Sequence, residues 1–253
     1  VSGTAFPRQR RHTLHFLEEI RGFSPVFLDT EADMSRVLAH RSGAERRRSI
    51  VTYVVWAAGR VLARHPDANS AIAGRFSPRV ARCDGVHAKI ALDKALGGRR
   101  VVLSTVLRDV EHAGLDDIQR EIERFRDGDA DTMPEFAGIR TLQRLPVPVG
   151  RAAFRRVVRP LRNRPDRFGT FAVSSLGHRP VDGFHSVGGT TVTLGLGQVR
   201  ERPVVRGGAV LAAPTLRLSL AFDHRVIDGA EAADVLAEIK DALESVPEPA
   251  AVA

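Results

Sequence analysis

Apolar positions along this chain recur with two different periods. Val235, Leu236, Ile239, Leu243 and Val246 give one apolar face to a helix predicted over 230–246. Helical stretches are also predicted over 46–65, stopped by Pro66, and over 115–126. Strand-like runs fall at 86–92, 101–107, 169–175, 190–196 and 216–222. Strands alternating with helices imply a mixed α/β protein. No Pro/Gly/Ser-rich linker and no internal repeat divides the 253 residues, so one domain over 1–253 is expected.

The run Asp223-His224-Arg225-Val226-Ile227-Asp228-Gly229 sits between the last strand and the last helix. A histidine at a strand end is held rigidly yet stays open to substrate, which suits a general base. The same spacing has a plainer reading. Asp228 followed by Glu231 fits a capping box for the helix, leaving His224 a loop histidine.

Composition narrows the picture. Cys83 is the only cysteine, which excludes an intramolecular disulfide and a cysteine-based metal cluster. The first residues lack the apolar core of a signal peptide, and no apolar run approaches the roughly 20 residues that span a bilayer. A cytoplasmic protein without membrane partners is expected. The net charge of +8 is carried almost entirely by arginine. It suits a phosphate-bearing molecule or a merely solvated surface. No zinc-finger spacing or RNA-recognition aromatic motif supports a nucleic-acid partner.

The seven-residue run resembles the Asp-His-Arg-x-x-Asp-Gly signature of the acyltransferase catalytic domain of 2-oxoacid dehydrogenase complexes, whose fold is shared with chloramphenicol acetyltransferase. The block Gly169-Thr170-Phe171-Ala172-Val173-Ser174-Ser175-Leu176-Gly177 is similar to that family's Gly-Thr-Phe-Thr-Ile-Ser-x-Leu-Gly strand. His65-Pro66-Asp67-Ala68-Asn69-Ser70-Ala71-Ile72 resembles its Pro-x-x-Asn-Ala segment. Val101-Val102-Leu103-Ser104-Thr105-Val106-Leu107-Arg108-Asp109 resembles its Val-Val-Pro-Val-Ile-Arg-Asp strand. The blocks stand in family order and span most of the chain.

The resemblance implies an α+β sandwich with a mixed sheet and flanking helices, assembled as a homotrimer with active sites between subunits. It implies that His224 takes the acceptor proton and that attack on the thioester is direct, without an acyl-enzyme. Ser174 of the neighbouring subunit would donate to the oxyanion. Ser175, adjacent on a strand, would face the other way. Asp228 would pair with an N-terminal arginine, for which Arg8, Arg10 and Arg11 compete; Asp223 and Arg225 would be structural. No permanently bound cofactor and no metal are implied. Acetyl-CoA would be the co-substrate, and a small molecule the acceptor.

Three departures shape the functional expectation. No lipoyl domain or peripheral-subunit-binding domain accompanies the catalytic blocks. A basic segment at about 140–167, broken by prolines, looks additional to the usual domain and holds a short amphipathic helix around Val149 to Leu161. It suggests a wall over one channel mouth or a surface excursion. The Pro/Ala-rich tail lacks an apolar ending, which favours a discrete trimer over a giant core. The expectation is therefore a stand-alone acyltransferase acting on a small-molecule hydroxyl, of the kind that acetylates tetronate intermediates in antibiotic biosynthesis. The alternatives are a dihydrolipoyl acyltransferase core and a non-catalytic trimeric scaffold.

Overall fold

The computed structural model describes residues 3–74 and 76–247; the C-terminal tail from 248 lies outside the described residues. In chain order the elements are α1 (Arg11–Glu19), β1 (Pro25–Asp33), α2 (Ser35–Ser42), α3 (Ile50–Leu62), β2 (Ser70–Ala73), β3 (Arg79–Arg82), β4 (Ala88–Leu96) and β5 (Arg99–Leu107). There follow α4 (Leu115–Asp127), α5 (Ala137–Arg144), α6 (Val147–Val158), α7 (Arg164–Phe168), β6 (Phe171–Ser175), β7 (Val192–Leu196), β8 (Arg200–Arg206), β9 (Ala209–Asp223) and α8 (Gly229–Glu244).

Seven strands form one mixed sheet in the order β1-β9-β7-β6-β4-β5, with β8 added on β9. The β4–β6 and β6–β7 pairs are parallel and the others antiparallel. Alternation along each strand sorts residues between two faces. Phe171, Val173, Leu194, Leu220 and Phe222 join Val54, Val55, Leu62, Val235 and Ile239 of α3 and α8 in one buried core. Ala172, Ser174 and Thr193 face the other way, toward α1, α5 and α6. The sheet thus separates a packed side from a hollow one.

The predicted elements form, with shifted ends. The helix expected over 46–65 starts only at Ile50, because Ser49 caps it: the Ser49 hydroxyl accepts the Thr52 backbone N–H at 3.2 Å. Arg48 is drawn away to Asp116 at 2.7 Å. Within 140–167 the chain folds into α5, α6 and α7, with α6 between Pro146 and Pro160. Sequence reasoning missed β1, the β2–β3 hairpin and β8. The β8–β9 turn had a readable signal in Gly207-Gly208, whose φ values of 55° and 82° lie in the left-handed region that glycine adopts without strain.

Candidate functional site

His224 follows directly on β9. Its backbone N–H donates to Ser24 O at 3.0 Å, and the preceding Asp223 N–H donates to Thr191 O at 3.0 Å, so the strand end is pinned from both sides. The imidazole packs on Phe222 with ring centroids 5.5 Å apart. Its Nδ1 stands 3.4 Å from Asp228 Oδ1, and 48% of the side chain remains exposed. With Nδ1 turned toward a carboxylate, Nε2 is the nitrogen left to accept a proton.

Asp223 is buried and holds this turn together. Its carboxylate accepts from Arg225 Nε at 2.8 Å, from the Arg225 backbone N–H at 3.2 Å and from Ser24 N–H at 3.4 Å. The hydrogen bond from Arg225 to Asp223 also raises the guanidinium pKa. The pair ties together the residues on either side of His224.

Two expectations for Asp228 are corrected. Its side chain makes no capping hydrogen bond, and Glu231, the other half of the box, instead meets His65 Nδ1 at 2.8 Å. His65 Nε2 meets Glu238 Oε1 at 3.0 Å, so α8 spends two carboxylates on the end of α3. Burial lowers the His65 pKa, but the two glutamates outweigh it and the net shift is upward. Nor does Asp228 pair with an N-terminal arginine within the chain. Arg11 donates through Nη1 to the carbonyls of Gln143 and Leu145, at 2.9 and 2.7 Å, because the end of α5 offers unsatisfied acceptors. Arg8 and Arg10 sit in the turn before α1 and form no ion pair with Asp228. Asp228 is left 89% exposed on a single chain.

Ser174 lies on β6 and opens into a cavity of about 710 Å³ walled by α1, α5, α6 and the sheet. That volume is within the range of small-molecule sites. The Ser174 hydroxyl makes no hydrogen bond within the described residues, whereas Ser175, on the opposite face, accepts the Gly177 N–H at 3.3 Å. The cavity also receives His12, whose Nε2 is 3.0 Å from Val102 O and whose pKa is lowered, chiefly by burial. The 140–167 segment supplies Leu142, Leu145, Phe154 and Val157 to its wall.

Lys89, unnoticed in the sequence, lines the same cavity. It sits on β4 opposite Ala172, two positions from Ser174 on the same sheet face. The nearest signal is compositional: only Lys89, Lys94 and Lys240 are lysines among 38 basic residues.

The register also measures how far apart the two candidate catalytic residues are. Ser174 pairs with Gly195 and Gly195 with Ser219, five residues before His224. Two inter-strand steps and five residues of rise separate Ser174 from His224 by roughly 20 Å. One chain therefore holds both residues without bringing them together.

Solved structures of known proteins share this fold. The fold matches a dihydrolipoamide acetyltransferase described as probable from Listeria monocytogenes, with a TM-score of 0.70 at 16% identity, over 98% of this chain and 99% of that one. It matches the Azotobacter vinelandii dihydrolipoamide acetyltransferase with a TM-score of 0.71 at 22% identity, over 97% and 92%. Chloramphenicol acetyltransferase superposes with a TM-score of 0.54 at 14% identity, over 94% and 96%. This is the chloramphenicol acetyltransferase-like fold.

Residues 164–251, which include Ser174 and the whole His224 turn, match the family described as 2-oxoacid dehydrogenases acyltransferase (catalytic domain). Over that stretch, about a third of the chain, the sequence is similar to the catalytic domain of this family. A 47-residue portion is 55% identical to the dihydrolipoyllysine-residue acetyltransferase component of the Bacillus subtilis pyruvate dehydrogenase complex, and 49% identical to its Staphylococcus aureus counterpart. The match spans 19% of this chain and 11% of each of those relatives. No helix among the described residues is long and apolar enough to cross a membrane.

Proposed function

We propose that this chain is the catalytic part of an acyltransferase that moves an acyl group between a thioester and a dihydrolipoyl thiol, working as a cytoplasmic homotrimer. The observation that carries the reading is the pair of half-sites. A strand-end histidine and an uncommitted strand serine occur together inside one family-matched segment, yet lie roughly 20 Å apart on the sheet. Two copies can supply both halves of one site where a single copy cannot. The names of the curated relatives support the dihydrolipoyl acceptor. In the Azotobacter vinelandii protein, a serine, a histidine and an asparagine four residues beyond it have been studied in the catalytic mechanism. Asp228 has that same four-residue spacing from His224 here.

His224 Nε2 takes the proton of the attacking thiol as the sulfur closes on the thioester carbonyl. Asp228 beside Nδ1 stabilises the imidazolium that forms. Ser174 of the neighbouring copy donates its hydroxyl to the oxyanion of the tetrahedral intermediate, and collapse expels the coenzyme A thiolate, which takes the proton back from His224. Acetyl-CoA is the proposed donor.

A second reading keeps the chemistry and exchanges the thiol for a small-molecule hydroxyl, such as that of a tetronate. The cavity beside Ser174 favours it, since an unneutralised lysine in its wall suits an anionic small acceptor better than a neutral dithiol. Thiol release from acetyl-CoA tests both. Release with dihydrolipoamide supports the first, release with an alcohol alone supports the second, and silence with both overturns acyl transfer.

A further inference from the structure

Lys89 is an enclosed cation with few partners. Its ammonium donates one hydrogen bond, to Gly188 O at 3.0 Å. It stands 4.4 Å from the centroid of the Phe16 ring and 3.7 Å from that of Phe168. An ammonium has three donors, and two aromatic faces are weak compensation for lost water. No carboxylate forms an ion pair with it among the described residues. Glu135 reaches the same cavity but is held by Arg124 at 2.6 Å, and Asp166 is held by Arg108 at 3.2 Å. The charged neighbour that acts on Lys89 is Arg164, of like sign.

The other two lysines show what a settled ammonium looks like here. Lys94 donates to the carbonyls of Phe125, Arg126 and Gly128 at the end of α4, and Lys240 to Glu244 at 2.6 Å. Lys89 differs from both in facing open space: it lines the cavity into which Ser174 opens and a neighbouring one of about 590 Å³ that Asp166 also lines.

We propose that the Ser174 cavity binds its substrate through an anionic oxygen group of carboxylate type, with the Lys89 ammonium as the counter-ion that fixes the molecule against Ser174. A carboxylate and the enolate of an acidic 1,3-dicarbonyl share the required chemistry, a delocalised single negative charge on oxygen. Either one fills the unused donors of Lys89 and removes the cost of an unpaired buried charge. Phe16 and Phe168 shield the pair from water, while Leu142, Phe154 and Val157 receive the apolar remainder of the ligand. Burial first, and Arg164 second, lower the Lys89 pKa from its ordinary 10.5 to about 7, so an anion that binds there also draws a proton onto the amine. The inference rests on the second reading above, a small anionic acceptor in this cavity, so its test measures binding rather than turnover.

These 253 residues hold only three lysines, so the chain labelled with 13C at lysine Cε gives three resolvable signals. The Lys89 signal is assigned from Lys89→Met, or by elimination from Lys94→Met and Lys240→Met. At pH 8, succinate, glutarate or tetronic acid is expected to move the Lys89 signal toward the ammonium position, while neutral glutaramide leaves it in place. Lys89→Met is expected to weaken binding of the active anion about tenfold or more. A response to the dicarboxylates alone assigns the carboxylate source, and a response to tetronic acid alone the enolate. A Lys89 signal unmoved by all three anions, or moved equally by glutaramide, overturns the proposal. Equal affinity in Lys89→Met also overturns it. Anion binding without any acyl transfer sinks the proposed function and leaves this site standing.

Discussion

Glu231 and His65 are joined across 2.8 Å, tying the first turn of α8 to the end of α3. Glu238, two turns on, holds the other imidazole nitrogen, so both ring nitrogens face carboxylates and the doubly protonated ring is favoured. The His65 pKa is accordingly raised in the folded state, against the effect of burial. The resulting stability is fully present below the unfolded value of about 6.5 and is lost as pH rises through the folded value. His65→Ala is expected to cost about 1–2 kcal/mol more at pH 5.5 than at pH 8.5 in urea unfolding. An equal cost at both values would show that the ring is only packing.

His224→Ala is expected to lower acyl transfer about 100- to 10,000-fold while leaving the assembly intact by size-exclusion chromatography. Substantial remaining activity would remove His224 from the role of base.

Ser174→Ala is expected to lower kcat about 100- to 1,000-fold with little change in KM. The two variants then test the shared site. Copies carrying His224→Ala, unfolded and reassembled with copies carrying Ser174→Ala, are expected to regain up to roughly a quarter of wild-type activity, through interfaces that unite an intact histidine with an intact serine. No recovery from a verified mixed assembly would place both residues' work within one copy.

Asp223→Ala leaves Arg225 without its carboxylate and removes the acceptor for Ser24 N–H. The expected loss is about 2–3 kcal/mol in denaturant unfolding, toward the low end for broken buried pairs because Arg225 is partly solvated. Transfer activity falls as well, since the His224 turn loses its anchor.

Lys89→Met is expected to stabilise the protein, most strongly at neutral and acidic pH. Below about pH 7 Lys89 is protonated in both states and the full cost of burying its charge applies. Above that value the folded amine is neutral while the unfolded one still binds a proton, so the gain shrinks and vanishes near pH 10. The shift from 10.5 to about 7 corresponds to roughly 3–5 kcal/mol at the neutral end. A gain that is flat with pH would assign it to packing between Phe16 and Phe168.

The central strands and long helices were legible in the sequence because their burial is one-sided or complete, and the hydrophobic period reports burial. β1 escaped notice because its residues are mostly exposed or half-buried along Pro25–Asp33, with polar Asp29, Thr30 and Glu31 breaking the apolar run. The His224 turn was legible through its motif. Its surroundings were not: Asp228 followed by Glu231 reads as a capping box until His65, 166 positions away, claims the glutamate. Lys89 was hidden for the same reason. A lysine in an alternating strand looks solvent-facing, and only the packing of Phe16, Phe168 and α6 over the sheet encloses it.

β9 runs 15 residues without interruption from the Gly207-Gly208 turn to Asp223, pairing with β8 over its first half and with β1 and β7 over its second. It therefore works as a ruler. The hairpin sets zero and His224 is the far graduation, so side chains along it can be exchanged while the count cannot. Inserting or deleting a single residue within β9 would move the imidazole by about 3.4 Å and turn the rest of the strand inside out. In any natural or laboratory variation of this protein, length is the property this strand is least free to change.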